Sequence, residues 1–422
     1  MTGLALDPFD RALLDGRSGE ACRLAMRIIV EIARVSGAPR LIDVSRAHID
    51  GCLYHGRAGL DFAERLASGG GRVAVPTTLN VGSLDLVHPN RFRGDPATAA
   101  AARKLMDLYV AMGCEPTWTC APYQLPSRPA LGEQIAWAES NATVFANSVL
   151  GARTNRYGDF FDICAAITGR VPDAGLHRTA NRRGRILFSV AQLPPALKAE
   201  DVLYPLLGHV VGARSGDSIP VIEGLPGDTS EDALKALGAA AASSGSVALF
   251  HAVGITPEAA TLDDALQGAA AERVVDVTPG MLLDARAGLS TAGGGELSSV
   301  SLGTPHFSMS EFAELMALLE GNRIDAGIEL YVSTSRAILA ALEQRGWREA
   351  LTRSGVRFVV DTCTYITPIL RNHGVAMTNS GKWAYYAPGN IGVKVIFGSM
   401  KECVRSAVEG KVWRDDTLWS NV

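Results

Sequence analysis

Apolar runs with strand character alternate with amphipathic helical runs along most of this 422-residue chain, and no other feature constrains its fold more. In the final third, "GIELYVSTS" reads as a strand, "RAILAALEQRGWREALTRSG" as one or two helices, and "VRFVVDTC" as a second strand. "KVIFGSMKECVRSAVEG" adds a strand, a turn and a helix. Near the start, "GEACRLAMRIIVEIARVSG" spaces its apolar residues as a helix that Gly37 stops. "AGLDFAERLASGGG" is another amphipathic helix, lying between the strand-like "PRLIDVSRAHIDG" and "RVAVPTTLNVGSLDL". "DPATAAAARKLMDLYVAMG" is helical, with Asp95 and Pro96 at cap and first-turn positions. A helix between two strands carries the chain back so that both strands run the same way. The pattern therefore predicts an α/β fold with mostly parallel sheets, in which ligands collect at the carboxyl ends of strands. The length suits two or three domains, with boundaries expected near 200 and 293 to give 1–200, 201–293 and 294–422.

Charge and cysteine usage narrow the function. A formal net charge of −4 with interspersed charges offers neither the basic stripe that nucleic acid requires nor a cationic face for anionic lipid. No apolar run reaches the ~18 residues of a membrane span, and the acidic "MTGLALDPFDRALLDG" is unlike a signal peptide. A soluble cytoplasmic protein with a small-molecule partner is expected. The seven cysteines are odd in number and dispersed, which argues against a disulfide framework. No C-x-x-C occurs, so a metal site would have to be assembled from distant segments.

Three cysteines lie at loops or element ends. Cys120 sits in "EPTWTCAPYQLPS", where Pro116, Pro122 and Pro126 fix the backbone around it. Cys363 ends "VRFVVDTC", and Cys403 falls in the first turn of a helix beyond another strand. Thiolates suit iron or zinc, and three protein ligands leave a coordination position open for substrate. Cys22 and Cys164 lie in apolar helical text and read as core, whereas Cys52 and Cys114, each beside a glycine, compete for a ligand role. Polar residues set among apolar text must be paired or used. This singles out Thr78 and Asn80 in "PTTLNVGS", Glu139, Ser140, Arg153 and Asn155 in "GEQIAWAESNATVFANSVLGARTNR", and Ser380 and Lys382 in "TNSGKWAYYAPG". His55 and His88 are loop histidines suited to acid or base work. Neither a G-x-x-x-x-G-K-[ST] phosphate loop nor a G-x-S-x-G elbow is present.

These runs, with "YHGRAGLDFAERLA", "TCAPY", "GITPEA" and "DTC", resemble the large subunit of aconitase X, a branch of the aconitase superfamily. The resemblance runs from near residue 18 to near 410. It implies an aconitase-like three-domain arrangement of α/β layers around a central metal site. It also implies a lyase that removes water from a hydroxy acid, with an iron-sulfur cluster or mononuclear iron held at Cys120, Cys363 and Cys403. Such enzymes need a small swivelling domain that carries a catalytic serine. This chain ends at "DTLWSNV" without room for it, so a separate small subunit is the expected partner. The family divides between dehydratases of cis-3-hydroxy-L-proline and dehydratases of a phosphorylated mevalonate. Arg153 and Lys382 suit one carboxylate, and Glu139, Asn80 or His55 suit a cationic ring nitrogen, a balance that favours the hydroxyproline. The alternatives are the phosphorylated mevalonate and a non-catalytic metal-binding protein of the same fold. Lys382, Ser380 and His55 are the expected catalytic groups, with Thr78, Asn80, Glu139, Ser140, Arg153 and Asn155 around the substrate.

Overall fold

The structure, a computed structural model, describes residues 3–371 and 374–419. The chain divides into two compact units. The N-terminal unit comprises the residues up to Leu84 together with Asp95–Arg183; the C-terminal unit comprises Asp85–Gly94 and the chain from Gly184 onward.

In the N-terminal unit a three-stranded parallel sheet has Ala47–Ile49 at its centre, flanked by Thr77–Leu79 and Ala136–Trp137. The helix Arg57–Ser68 makes the crossover between the first two strands, as the alternation of the sequence requires. The helix Glu20–Val35 is the one expected before Gly37, and the shorter helix Pro8–Leu14 precedes it. Asp95 caps Pro96–Ala111 by accepting from Thr98 N at 2.8 Å. A short antiparallel pair, Leu41–Asp43 with Arg170–Pro172, completes the unit.

Two parallel sheets build the C-terminal unit. The first has four strands in the order His251–Ala252, Pro220–Glu223, Ile186–Ser189, Arg273–Asp276. Ile186–Ser189 is thus an inner strand of this sheet, so the boundary expected at residue 200 moves back to about Arg183. Between the strands, Leu203–Ser215 packs on Glu231–Ser244 at a spacing only small residues permit. A Cβ on Gly208 would lie 2.2 Å from the Leu237 carbonyl oxygen, and one on Gly212 2.4 Å from that of Ala241. This accounts for the alanine- and glycine-rich text of the region.

The second sheet has five strands in the order Val356–Val359, Glu329–Thr334, Leu297–Phe307, Val375–Thr378, Lys394–Phe397. Its central strand, Leu297–Phe307, is buried at every position. From it the chain builds outward on one side, then crosses back to build on the other, which creates a switch point at the carboxyl ends of the central strands. The helices Met309–Leu319 and Met400–Glu409 seal one face with Phe312, Leu315, Val404 and Ala407 against Val300, Leu330 and Met377. Among the described residues, no helix is long and apolar enough to cross a membrane.

Candidate metal centre and substrate site

At the carboxyl edge of the five-stranded sheet, the central strand breaks register between Leu302 and Phe307. Gly303, at φ +87, makes the turn; a Cβ there would meet the Ser333 carbonyl oxygen at 2.4 Å. The displaced segment carries His306, which is fully buried. His306 Nε2 lies 3.3 Å from the Thr362 carbonyl oxygen. A carbonyl only accepts, so Nε2 bears the proton and Nδ1 the lone pair.

Cys363 follows the edge strand Val356–Val359 in a tight turn, its carbonyl accepting from Ile366 N and Thr367 N at 3.3 and 3.1 Å. Two residues earlier, Asp361 holds φ +64, a strained value for a residue with a Cβ, and its carboxylate takes Arg336 Nε and Nη2 at 2.6 Å each. Thr364 fixes the far side of the turn: its Oγ1 lies 2.5 Å from Ser301 Oγ and accepts from Trp383 Nε1 at 2.9 Å. A ring nitrogen of His306 and Sγ of Cys363 lie within 4.8 Å of one another. A borderline metal, bound at about 2.3 Å from sulfur and about 2.1 Å from imidazole nitrogen, suits this donor pair.

The same edge holds Ser380 and Lys382. Ser380 caps the helix Gly381–Ile391, accepting from Trp383 N at 3.0 Å and donating to the Thr304 carbonyl. Lys382 is buried in the first turn of that helix, where backbone N–H groups and the helix dipole favour an anion.

Cys403 differs from expectation. It does lie in the first turn of Met400–Glu409, but the turn directs it into the apolar cluster with Val404, Ala407 and Met377. Desolvation, with the charges of Glu402 and Asp201, pushes its thiol well above the ordinary range. Cys403 thus lies within the apolar cluster, and among the described residues the imidazole found beside Cys363 is that of His306.

In the N-terminal unit the carboxyl edge of the three-stranded sheet is also polar. Asn80 donates through Nδ2 to Asp50 Oδ1, while its own Oδ1 is buried and has no hydrogen-bond partner among the described residues. Thr78 Oγ1 lies 2.8 Å from Nδ1 of the fully buried His48. Desolvation pushes the His48 pKa down to about 4 against the pull of Glu139, so the ring is neutral at physiological pH. Glu139 caps the helix Ser140–Ser148, accepting from Ala142 N at 2.6 Å, and Ser140 Oγ donates to it at 3.3 Å. Cys120 is 4 % exposed on a loop held at several points: Thr119 N donates to the Leu79 carbonyl at 3.1 Å, and Asn141 Nδ2 to the Cys120 carbonyl at 2.8 Å. Two residues before it, Trp118 has φ +44.

Arg153 and Asn155 have structural work. Arg153 Nη1 donates to Thr179 Oγ1 at 2.7 Å, and Asn155 bridges Leu176 N and the Ala174 carbonyl at 2.7 and 3.1 Å. Both hold the 174–179 segment. His55 is exposed before the helix Arg57–Ser68, and His88 is paired with Asp85 at 2.9 Å.

Known proteins resemble this chain in sequence and in fold. Models of the aconitase X first, second and third domains match residues 3–180, 184–310 and 297–409. A cis-3-hydroxy-L-proline dehydratase of Pseudomonas aeruginosa is 47% identical over 97% of this chain and 71% of its own length. One from Hypocrea jecorina is 45% identical over 95% and 68%. A phosphomevalonate dehydratase large subunit of Methanothermobacter thermautotrophicus is 35% identical over 95% and 98%. The crystal structure of Thermococcus kodakaraensis aconitase X in its holo-form superposes with a TM-score of 0.85 at 32% identity, covering 96% of this chain and 100% of that one.

Proposed function

The chain belongs to the aconitase X family, and from that membership we propose that it is the large subunit of a hydro-lyase converting cis-3-hydroxy-L-proline to pyrroline-2-carboxylate. The observation that carries the substrate is the identity of 47% and 45% to proteins named for that reaction, against 35% to an archaeal phosphomevalonate dehydratase large subunit. The word "large" in the archaeal name supports a separate small subunit as partner.

Cys363 and His306 are the proposed iron ligands in the C-terminal unit, supported by their spacing and chemistry. Cys120 is proposed as a third ligand on the strength of its proline-bounded loop and the family resemblance. Iron, when bound, supplies a Lewis acid for the departing hydroxyl. Lys382 and the helix N-terminus it belongs to attract the substrate carboxylate and stabilise the charge that grows there as the adjacent proton leaves. Asn80 offers Oδ1 to a substrate N–H, a group that hydroxyproline has and mevalonate lacks.

The test is reconstitution of the chain with its small subunit and ferrous iron under anaerobic conditions. Dehydration of cis-3-hydroxy-L-proline, with little action on the trans isomer, is expected. Faster turnover of phosphorylated mevalonate would overturn the reading. Pyrrole-2-carboxylate, planar like the carbon formed as the proton departs, should inhibit.

A further inference from the structure

Where the central strand leaves register, its backbone carbonyls lose their ladder partners and take side-chain donors instead. Ser380 Oγ donates to the Thr304 carbonyl, and Thr334 Oγ1 donates to that of Phe307 at 2.9 Å. Between them, the His306 carbonyl lies 3.4 Å from the ammonium of Lys235. Lys235 belongs to the helix Glu231–Ser244, on the layer of the four-stranded sheet, and is 2 % exposed.

The three protons of this ammonium are matched by three acceptors: the His306 carbonyl, Asp232 Oδ1 at 2.8 Å, and the Glu311 carboxylate. Glu311 also closes a capping box, accepting from Ser308 N at 2.8 Å while its own N–H donates to Ser308 Oγ at 3.2 Å. Ser308 Oγ and Ser310 Oγ donate to Asp232 Oδ2 at 2.7 and 2.6 Å. His306, Ser308, Ser310 and Glu311 are therefore tied to the helix through a hydrogen-bonded network that runs from the buried Lys235 to the exposed Ser310. A buried ammonium is a poor source of stability, because desolvation offsets most of its attraction to the carboxylates. Its value lies in direction, since it fixes one backbone carbonyl, that of His306.

We infer that Lys235 is a positioning residue: it holds the His306 backbone so that the imidazole stands beside Cys363, and so sets the metal affinity of the centre. The inference rests on the reading of His306 and Cys363 as metal ligands. Outer partners that orient a ligand change metal affinity by about 10–100-fold when removed.

Cobalt(II) is the probe, titrated anaerobically into the metal-free full-length chain and followed by its thiolate charge-transfer absorption. Lys235→Met should weaken cobalt binding about tenfold or more and shift the band, and Lys235→Arg should recover part of the loss. Because Lys235→Met strands two carboxylates, the double variant Lys235→Met/Glu311→Gln is measured beside it, with melting temperature confirming the fold. In the reconstituted two-subunit enzyme the same variants should lower kcat and leave KM within about twofold. Parent-like cobalt affinity and spectrum in a folded Lys235→Met or double variant overturns the inference. His306→Ala separates the two readings: if it binds cobalt as the parent does, the ligand assignment itself fails. If it loses cobalt while the Lys235 variants keep it, only the positioning role fails.

Discussion

The two edges of the five-stranded sheet both bury polar groups, by opposite means. At the amino edge the Glu329 carboxylate, 2 % exposed, receives three guanidiniums: Arg93 at 3.1 Å, Arg357 at 2.6 Å and Arg371 at 3.1 Å. Its acceptor capacity is consumed by partners within the unit. At the carboxyl edge, beside the Asp361–Arg336 pair, stand the Cys363 thiol, Lys382 and two groups that hydrogen bonds to backbone orient, the His306 imidazole and the Ser380 hydroxyl. Burying soft donors contributes little to stability, so an edge built from them is shaped for something that binds. Saturated charge marks the structural edge, and oriented donors mark the chemical one.

The largest expected effect comes from breaking the carboxyl edge. Cys363→Ser should empty the centre of iron, measured by metal analysis, and cut turnover of the reconstituted enzyme by about 10³-fold, since Lewis-acid assistance is worth several kcal/mol. Chemical denaturation should register much less. Full iron content in this variant would erase the distinction between the edges.

Glu329→Gln breaks the other edge and should do the reverse. Removing one partner from a fully buried ion pair costs about 3–5 kcal/mol; here the arginines are about two-fifths exposed and solvent screening reduces the loss to about 2 kcal/mol. Iron content should stay at the parent level. Burial would raise the Glu329 pKa, but the bonds from Arg93 and the charge of Arg357 outweigh it and hold the carboxyl below its ordinary value of 4.5. A depressed carboxyl stabilises fully above that value, and the contribution is lost as pH falls through the lower folded pKa. The Gln variant should therefore lack that part of the acid-side loss in a stability–pH series.

Cys403→Ala tests the placement of this thiol in the core. It should retain metal and lose about 1 kcal/mol, the cost of a small cavity under a helix. Loss of iron would restore Cys403 as a ligand. Smallest of all, Arg371→Ala leaves Glu329 with two arginines and should shift stability by about 0.5 kcal/mol.

How legible these regions were differs for physical reasons. The strands "ELYVST" and "VRFV" announce themselves by β-branched and aromatic residues, and their carboxyl ends pointed to Cys363. The central strand, "LSSVSLGTPHF", did not: as an inner strand it is buried on both faces, so it shows no alternation, and its serines, glycine and proline carry no strand signal. His306 was hidden with it. Cys403 was placed in the right turn of the right helix, yet which side of a helix faces the sheet depends on tertiary packing. Asn155 was legible as a polar residue that had to be used; the use is to hold the backbone at 174–176.

One detail of chain tracing bears on how the protein comes into being. The C-terminal unit borrows Asp85–Gly94, whose Asp85 Oδ2 accepts from Val360 N at 3.3 Å across 275 positions of sequence, and whose Arg93 N donates to the Pro368 carbonyl at 2.8 Å. On the ribosome this segment emerges long before the strand it will brace. The N-terminal unit, free to fold as it is made, must do so around a loop whose partners do not yet exist. The sheet bearing Cys363 is completed only when that early segment is recovered late. A gene fragment beginning at Gly184 would thus encode the strands without the brace that joins them to Asp85 and Arg93.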